Sequence, residues 1–192
     1  MSAVVTGLDL SLAGSGVATI RRNGGGEVRI SQHLIETEAF PKDYKPTLQE
    51  WLDRQSSIVQ RVVSLVPDDA LVVIETGSFR SKWGNPYERA GVFWRTAQWL
   101  SRLGHVVVGV TPAGRAKYAA GHARADKKAV VEAIQLWAPT IRNHNVADAA
   151  ALAAMGWRHL GAPVDLSLDG VLERKKNEAM RAVRWPITEG VK

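Results

Sequence analysis

The sequence of 192 residues contains no cysteine and no long apolar run. Without cysteine there is no disulfide scaffold and no thiolate metal site, so any metal must be held by oxygen or imidazole ligands. No apolar stretch approaches the roughly 20 residues of a membrane-spanning helix. Asp9 interrupts the first apolar run too early for a signal peptide. We therefore expect a soluble, cytoplasmic protein with no membrane partner.

Acidic residues are scarce relative to basic ones. The chain has 25 Lys and Arg against 19 Asp and Glu, which gives a formal net charge of +6. The excess is concentrated in residues 80–95 and 113–128, where Glu88 and Asp126 are the only acids. A solvated basic surface would explain these stretches, but their position around candidate catalytic loops favours nucleic acid as a partner.

Strand and helix patterns follow one another in an order typical of an α/β domain. The predicted strands cover residues 3–10, 16–20, about 27–35, 71–74 and 105–110. The predicted helices cover residues 47–66, 85–103, 124–137 and 145–160. Three strands followed by alternating helices and strands indicate a mixed sheet with helices on both faces.

Three carboxylates lie in apolar surroundings. Asp9 and Glu75 each come late in an apolar strand, and Asp148 lies in an alanine-rich helix. Burying such charges is unfavourable unless they are paired or bind a metal. If the two strands are parallel, Asp9 and Glu75 reach the same sheet end, and the thin alanine helix can approach from the side. Oxygen ligands favour Mg²⁺ or Mn²⁺, and two such ions can activate water for phosphodiester hydrolysis.

Each acid also has an ordinary structural explanation. Asp9 could start the turn at residues 11–15, Glu75 could end a solvent-exposed strand, and Asp148 could interact with a helix dipole. Their joint occurrence beside basic segments favours a shared site. His144 and Asn145 precede Asp148 by four and three residues, so either can share its helix face.

Four motifs occur in order between residue 3 and about residue 158. They are Gly7-Leu8-Asp9-Leu10-Ser11-Leu12-Ala13-Gly14-Ser15-Gly16, Ile74-Glu75 before a loop with Phe79, Lys117 and Lys127 after Pro112, and Asn145-Val146-Ala147-Asp148-Ala149. The series resembles the RuvC-like Holliday junction resolvases of the RNase H-like superfamily. The resemblance implies an RNase H-like mixed five-stranded sheet, with the first three strands antiparallel and the rest parallel. It implies a nuclease domain over residues 1–160 and a basic extension over 161–192, helical or partly disordered.

The resemblance also implies an endodeoxyribonuclease that resolves four-way junctions by paired nicks. Asp9, Glu75 and Asp148 would hold two Mg²⁺ ions, with Mn²⁺ able to substitute and no small-molecule cofactor. The family usually has Asp or His where this chain has Asn145. An amide oxygen can bind a hard cation, but it has no charge and cannot act as a base. Asn145, or His144 beside it, is therefore expected to complete the metal site.

Basic and aromatic residues are expected to contact branched DNA. Lys117 and Lys127 would contact the phosphate backbone or stabilise developing charge, although each could also be an ordinary surface lysine. Phe79 and Trp83 could stack on unpaired bases, or pack against their own loop and helix. The residues expected to bind DNA are Phe79, Arg80, Lys82, Trp83, Arg115, Lys117, Arg124, Lys127 and Lys128.

The predicted helix over 85–103 carries more apolar surface than one sheet face needs, including Trp94 and Trp99. We expect a homodimer there, since paired cuts across a junction call for two active sites. Three other hypotheses fit parts of the sequence. A sugar-kinase or actin-like fold would need a second copy of the first hairpin, which the chain lacks. A related nuclease could act on flaps, forks or RNA–DNA hybrids, and a non-catalytic junction-binding module has only Asn145 in its favour.

Overall fold

The fold is built on a mixed sheet of five strands. The computed structural model describes residues 3–77 and 85–186. Within them the strands are β1 (Val4–Asp9), β2 (Gly14–Arg22), β3 (Val28–Glu36), β4 (Leu71–Glu75) and β5 (Val106–Val110), in the order β3-β2-β1-β4-β5. The first three strands are antiparallel, and β4 runs parallel to both β1 and β5. The predicted sheet is confirmed.

Helices cover both faces of this sheet, as predicted. The described residues contain α1 (Leu48–Val63), α2 (Pro86–Arg102), α3 (Pro112–Ala120), α4 (Lys127–Gln135), α5 (His144–His159) and α6 (Gly170–Arg181). Helices α1 and α2 pack on one face, whereas α5 packs on the other with α3, α4 and α6 around it. None of the helices in the described part of the chain is both long and apolar enough to cross a bilayer.

The alternation of side chains along β1 and β4 decides which way their terminal acids point. Val4 and Leu8 of β1 join the core under α1, while Val5 joins the core under α5. In β4, Val73 likewise faces α5 and its neighbours in sequence face α1. Successive strand residues point to opposite faces. Asp9 and Glu75 therefore project on the α5 side of the sheet.

Helix α5 lies unusually close to β1 and β2. A Cβ atom added at Gly7 would lie 2.0 Å from the carbonyl oxygen of Ala149, and one at Gly16 would lie 2.1 Å from that of Asn145. Only glycine permits this approach, and the small alanine side chains of α5 permit it from the other side. The prediction of a thin helix against the sheet is confirmed, and it brings Asp148 to the ends of the strands.

The C-terminal helix α6 packs on α3 through buried charged groups. The carboxylate of Asp165 accepts hydrogen bonds from Lys176 Nζ at 2.7 Å and from the Tyr118 hydroxyl at 3.0 Å. Arg158 on α5 binds both Asp165 and Glu173. The extension is therefore helical over Gly170–Arg181. Its separation from the nuclease domain at residue 160 stays a prediction.

Candidate active site

A cleft of about 630 Å³ opens where β1 and β4 end. The last residues of these strands, Asp9 and Glu75, line it together with Asp148 from α5. Leu8 is paired with Ile74 in the parallel register, so the two strand-end acids follow adjacent positions. The carboxyl ends of parallel strands are the usual location of ligand sites in open α/β sheets. All three acids singled out by the sequence thus come to one cleft.

The ordinary structural explanations for these acids do not fit their surroundings. The turn after β1 is held by Ser11 and Ser15: the Ser11 hydroxyl donates to Gly14 O at 2.8 Å and the Ser11 amide donates to Ser15 Oγ at 3.0 Å. Only 16% of the Glu75 side chain is exposed, and Asp148 is 5% exposed. The turn is therefore held by the two serines rather than by Asp9. A strand-end acid in solvent or an acid on a helix surface would be largely exposed, and Glu75 and Asp148 are not.

Burial and the mutual repulsion of the carboxylates raise the pKa values of Asp9 and Asp148. Burial, together with the nearby charges of Glu75 and Asp148, raises the pKa of Asp9 to about 8, although Arg115 and Lys127 oppose the change. Burial also raises the pKa of Asp148 to about 6, with Arg115 acting in the opposite direction. Like charges in a site shielded from water produce such shifts unless a cation compensates them.

Arg115 is part of this site, although the sequence assigned it only to DNA binding. Its Nε donates to Glu75 Oε2 at 2.8 Å, and its Nη1 lies 2.6 Å from Asp148 Oδ1. Only 12% of its side chain is exposed. Helix α3 starts directly after β5, whose end lies beside that of β4, so the topology brings this helix to the cleft without deciding which of its basic residues faces the acids.

The two lysines assigned to catalysis lie in different environments. Lys127, the first residue of α4, lines the cleft, and its charge lowers the pKa of both Asp9 and Asp148. Lys117 instead points to α6, where its Nζ lies 2.7 Å from Glu178 Oε2. The structure thus joins Lys127 to the acids and leaves Lys117 with the C-terminal helix.

Of the two candidates for a fourth metal ligand, Asn145 lines the cleft and His144 does not. Asn145 Nδ2 donates to the Gly14 carbonyl at 2.6 Å, which ties the start of α5 to the β1–β2 turn. Burial and the charge of Lys127 lower the pKa of His144. The amide of Asn145 is therefore the group next to the three acids.

The other predicted DNA contacts divide into two groups. Arg124, before α4, and Lys128, in its first turn, are both exposed, and Lys128 Nζ lies 3.8 Å from Glu132 Oε1. Phe79, Arg80, Lys82 and Trp83 lie outside the described residues.

The donor set fits a hard divalent cation, although the acids are not gathered around one point. Within residues 3–77 and 85–186, no three His, Cys, Asp or Glu side chains lie close enough together to hold a metal ion. Arg115 bridges two of the three acids. The buried Oδ1 atom of Asp148 receives no aligned hydrogen bond from any described residue. Carboxylate oxygens with unused acceptor capacity are what Mg²⁺ and Mn²⁺ bind.

Comparison with known proteins identifies the fold. No protein-family model and no curated protein matches the chain. The structure is similar to that of RuvC from Thermus thermophilus, with a TM-score of 0.61 and 20% identity, covering 83% of this chain and 97% of that one. It is also similar to T. thermophilus RuvC in complex with a Holliday junction substrate, with a TM-score of 0.59 and 18% identity, covering 83% of this chain and 96% of that one.

These similarities first define the class of fold, which is RNase H-like, with the strand order and directions described above. Within that class the particular fold is that of RuvC, over nearly the whole length of the T. thermophilus chain. The fold predicted from the four motifs is therefore confirmed.

Proposed function

We propose that the protein is a metal-dependent, structure-selective DNA endonuclease that resolves four-way junctions by paired nicks. The observation that carries this proposal is the convergence of Asp9, Glu75 and Asp148 on one cleft of a RuvC fold. The net charge of +6 suits a polyanionic partner. T. thermophilus RuvC, with which this chain shares its fold, has been solved with a Holliday junction substrate.

Each residue of the cleft has a role in this proposal. Asp9, Glu75 and Asp148 hold two Mg²⁺ ions, which Mn²⁺ can replace. When bound, these ions supply Lewis-acid activation of the attacking water and of the leaving oxygen. Asn145 uses its Nδ2 on the Gly14 carbonyl, so its Oδ1 is the atom left to act as a ligand. Lys127 supplies positive charge for the phosphate at the same cleft.

Contacts outside the cleft are proposed to select branched DNA. Arg124, Lys128 and the Arg80–Lys82 segment bind phosphates, which gives affinity without sequence preference. Phe79 and Trp83 stack on bases that a junction leaves unpaired. Lys117 joins this set only after its pair with Glu178 opens.

We further propose that the active form is a homodimer joined through α2. The apolar residues Val92 and Leu100 of this helix are buried in the monomer core. The surface that remains is carried by Trp94 and Trp99, which are 61% and 40% exposed. Two-fold pairing there would provide the two active sites that paired nicks require. Sedimentation at micromolar concentration should show a dimer; a monomer both with and without DNA would contradict it.

The test is to incubate the protein with labelled four-way, flap, fork and RNA–DNA hybrid substrates in Mg²⁺ or Mn²⁺. Asp9→Asn and Glu75→Gln are assayed beside it, because they keep side-chain size and remove one ligand charge. We expect symmetric nicks in the four-way junction and a loss of at least about 10³-fold in either variant, because each removes a charged ligand from the ions that would activate water and the leaving oxygen.

The other hypotheses predict different results in the same assay. Cutting confined to flaps, forks or hybrids, with the same dependence on Asp9 and Glu75, would assign the protein to a related nuclease. Junction binding without cutting in either metal would assign it to a non-catalytic binding module.

A further inference from the structure

The Arg115 guanidinium occupies the position where a cation between Glu75 and Asp148 would be needed. It lies 2.8 Å from Glu75 Oε2 and 2.6 Å from Asp148 Oδ1, so it links the end of β4 to α5. Its side chain is 12% exposed, which shields both contacts from water. The Coulomb attraction within a partly buried pair is stronger than on a surface, but burying both partners carries a desolvation cost.

The two contacts of Arg115 are unequal. Its Nε makes a well-aligned hydrogen bond to Glu75. Asp148 Oδ1, by contrast, is close to the guanidinium but receives no aligned hydrogen bond from it. A single positive charge therefore faces two carboxylates, and it makes an aligned hydrogen bond to only one of them. A divalent ion would match both the charge and the spherical coordination that carboxylate oxygens accept.

The side chain of Arg115 also has room to move away from the two acids. The residue is on the first turns of α3, with a long side chain that has several rotatable bonds, and it borders a cleft of about 630 Å³. A phosphate entering the cleft would provide a new partner for the guanidinium.

We propose that Arg115 is an internal counter-cation of the metal-free site, which a divalent ion displaces from between Glu75 and Asp148. The inference rests on the proposed function in one respect, that these acids bind divalent ions. Arg115 is then a positioning residue: it keeps the carboxylates in place until metal arrives, and metal and guanidinium compete for them.

Competition between Arg115 and metal can be distinguished from a structural role by whether removing Arg115 raises or lowers the metal affinity. A purely structural tie would hold the acids in position for metal, so its removal would weaken metal binding. A competing cation gives the opposite result, because its removal frees two carboxylates. The test is calorimetric titration of Mn²⁺ into the DNA-free protein, comparing wild type with Arg115→Gln, Arg115→Lys and Arg29→Gln. Arg29 is an exposed arginine paired with Glu27 and serves as the matched control.

We expect Arg115→Gln to tighten the Mn²⁺ dissociation constant by about tenfold, the effect of removing one unit charge next to a partly shielded site. Arg115→Lys keeps the charge but loses the fork that reaches both acids, so its Mn²⁺ affinity should lie between those of wild type and Arg115→Gln. Arg29→Gln should match wild type. The rise in Tm that Mn²⁺ produces should be larger in Arg115→Gln than in wild type, which provides a second readout.

Unchanged or weaker Mn²⁺ binding in both Arg115 variants would overturn the inference, while junction cutting by wild type would leave the proposed function standing. The reverse pattern is also distinct. Tighter Mn²⁺ binding in Arg115→Gln without any nuclease activity in wild type would support the exchange and overturn the nuclease. If Arg115→Gln does not fold, Arg115→Lys alone decides the matter by the direction of its change.

Discussion

Two groups of charged side chains, one under α6 and one at the cleft where β1 and β4 end, are organised differently. In the first, Asp165 and Glu173 are matched by Arg158 and Lys176. In the second, the three acids Asp9, Glu75 and Asp148 face Arg115 and Lys127, the two cations whose charges act on Asp9.

The difference supports the proposal that the first group is structural and that the second binds a cation. The first group has as many basic as acidic side chains, and Asp165 accepts hydrogen bonds from Lys176, Arg158 and Tyr118. The second brings three acids to one cleft, and it leaves an oxygen of Asp148 without an aligned hydrogen-bond donor among the described residues. A buried acid whose hydrogen bonds are satisfied by its neighbours holds helices together, whereas a buried carboxylate oxygen without an aligned donor can still accept a bond from a ligand.

The largest expected effect comes from breaking the balanced network. Lys176→Met leaves Asp165 buried without its closest cation, and we expect a loss of about 3–5 kcal/mol in the free energy of unfolding. Urea denaturation monitored by circular dichroism measures it. Lys176→Met combined with Asp165→Leu should lose less than Lys176→Met alone, because no uncompensated charge remains. A double variant that is less stable than both single variants would show that packing, rather than charge, controls this region.

The opposite effect on stability is expected at the cleft, where Asp9 lies beside two other acids. The pKa of Asp9 is raised from 3.8 to about 8 by burial and by its acidic neighbours. The folded chain therefore retains a proton that the unfolded chain releases, and stability falls as the pH rises through this window. Asp9→Asn removes the penalty. We expect it to stabilise the metal-free protein by roughly 1–3 kcal/mol above pH 8, with the gain vanishing towards pH 4.

Thermal unfolding of Asp9→Asn and wild type across this pH range measures the gain. Asp68→Asn, which changes an exposed acid, is the control. Saturating Mn²⁺ should reverse the order of stability, since the ion binds wild type better. A gain of equal size at acidic and alkaline pH would contradict the assignment to Asp9 ionisation.

A smaller effect should distinguish the two candidates for the fourth ligand. Asn145 borders the cleft beside the acids, while His144 does not. We expect Asn145→Ala to slow junction cleavage by about tenfold, the size of one lost neutral interaction, and His144→Ala to change it less than about threefold. Single-turnover rates at saturating metal measure both. The reverse ranking would assign the fourth ligand to His144.

The smallest effect is expected at the exposed edge of the basic segment. Lys128 is far more exposed than Arg115, with 84% of its side chain accessible. Lys128→Gln should weaken junction binding by about two- to threefold and reduce the salt dependence of log Kd by about one ion. Its Mn²⁺ affinity should equal that of wild type. A change in metal affinity would place this lysine's charge within reach of the acids.

The sheet and the acids were predictable from local patterns. Apolar strands that end in a charge are visible in any window around Asp9 or Glu75, and parallel pairing brings such ends together. Alanine repeats around Asp148 predicted the close helix. Each of these inferences needs only the period of one element and the direction of its neighbour.

The cations could not be assigned in this way. Arg115 and Lys117 are two positions apart on α3 and so point about 200° away from each other. Only one can face the cleft, and the choice depends on where α6 supplies Glu178 for the other. That contact joins distant parts of the chain, and no local pattern encodes it. The role of Arg115 is therefore a property of tertiary packing.

The close approach of α5 to β1 and β2 also has a kinetic consequence. With backbone atoms already in contact at Gly7 and Gly16, the helix cannot slide or tilt toward the sheet to adjust the position of Asp148. Rearrangement of the cleft is left to side chains, which change rotamer in picoseconds to nanoseconds, whereas collective helix motions take microseconds to milliseconds. The loading of a cation should therefore be limited by diffusion and ion dehydration, without a slow conformational phase before cutting begins.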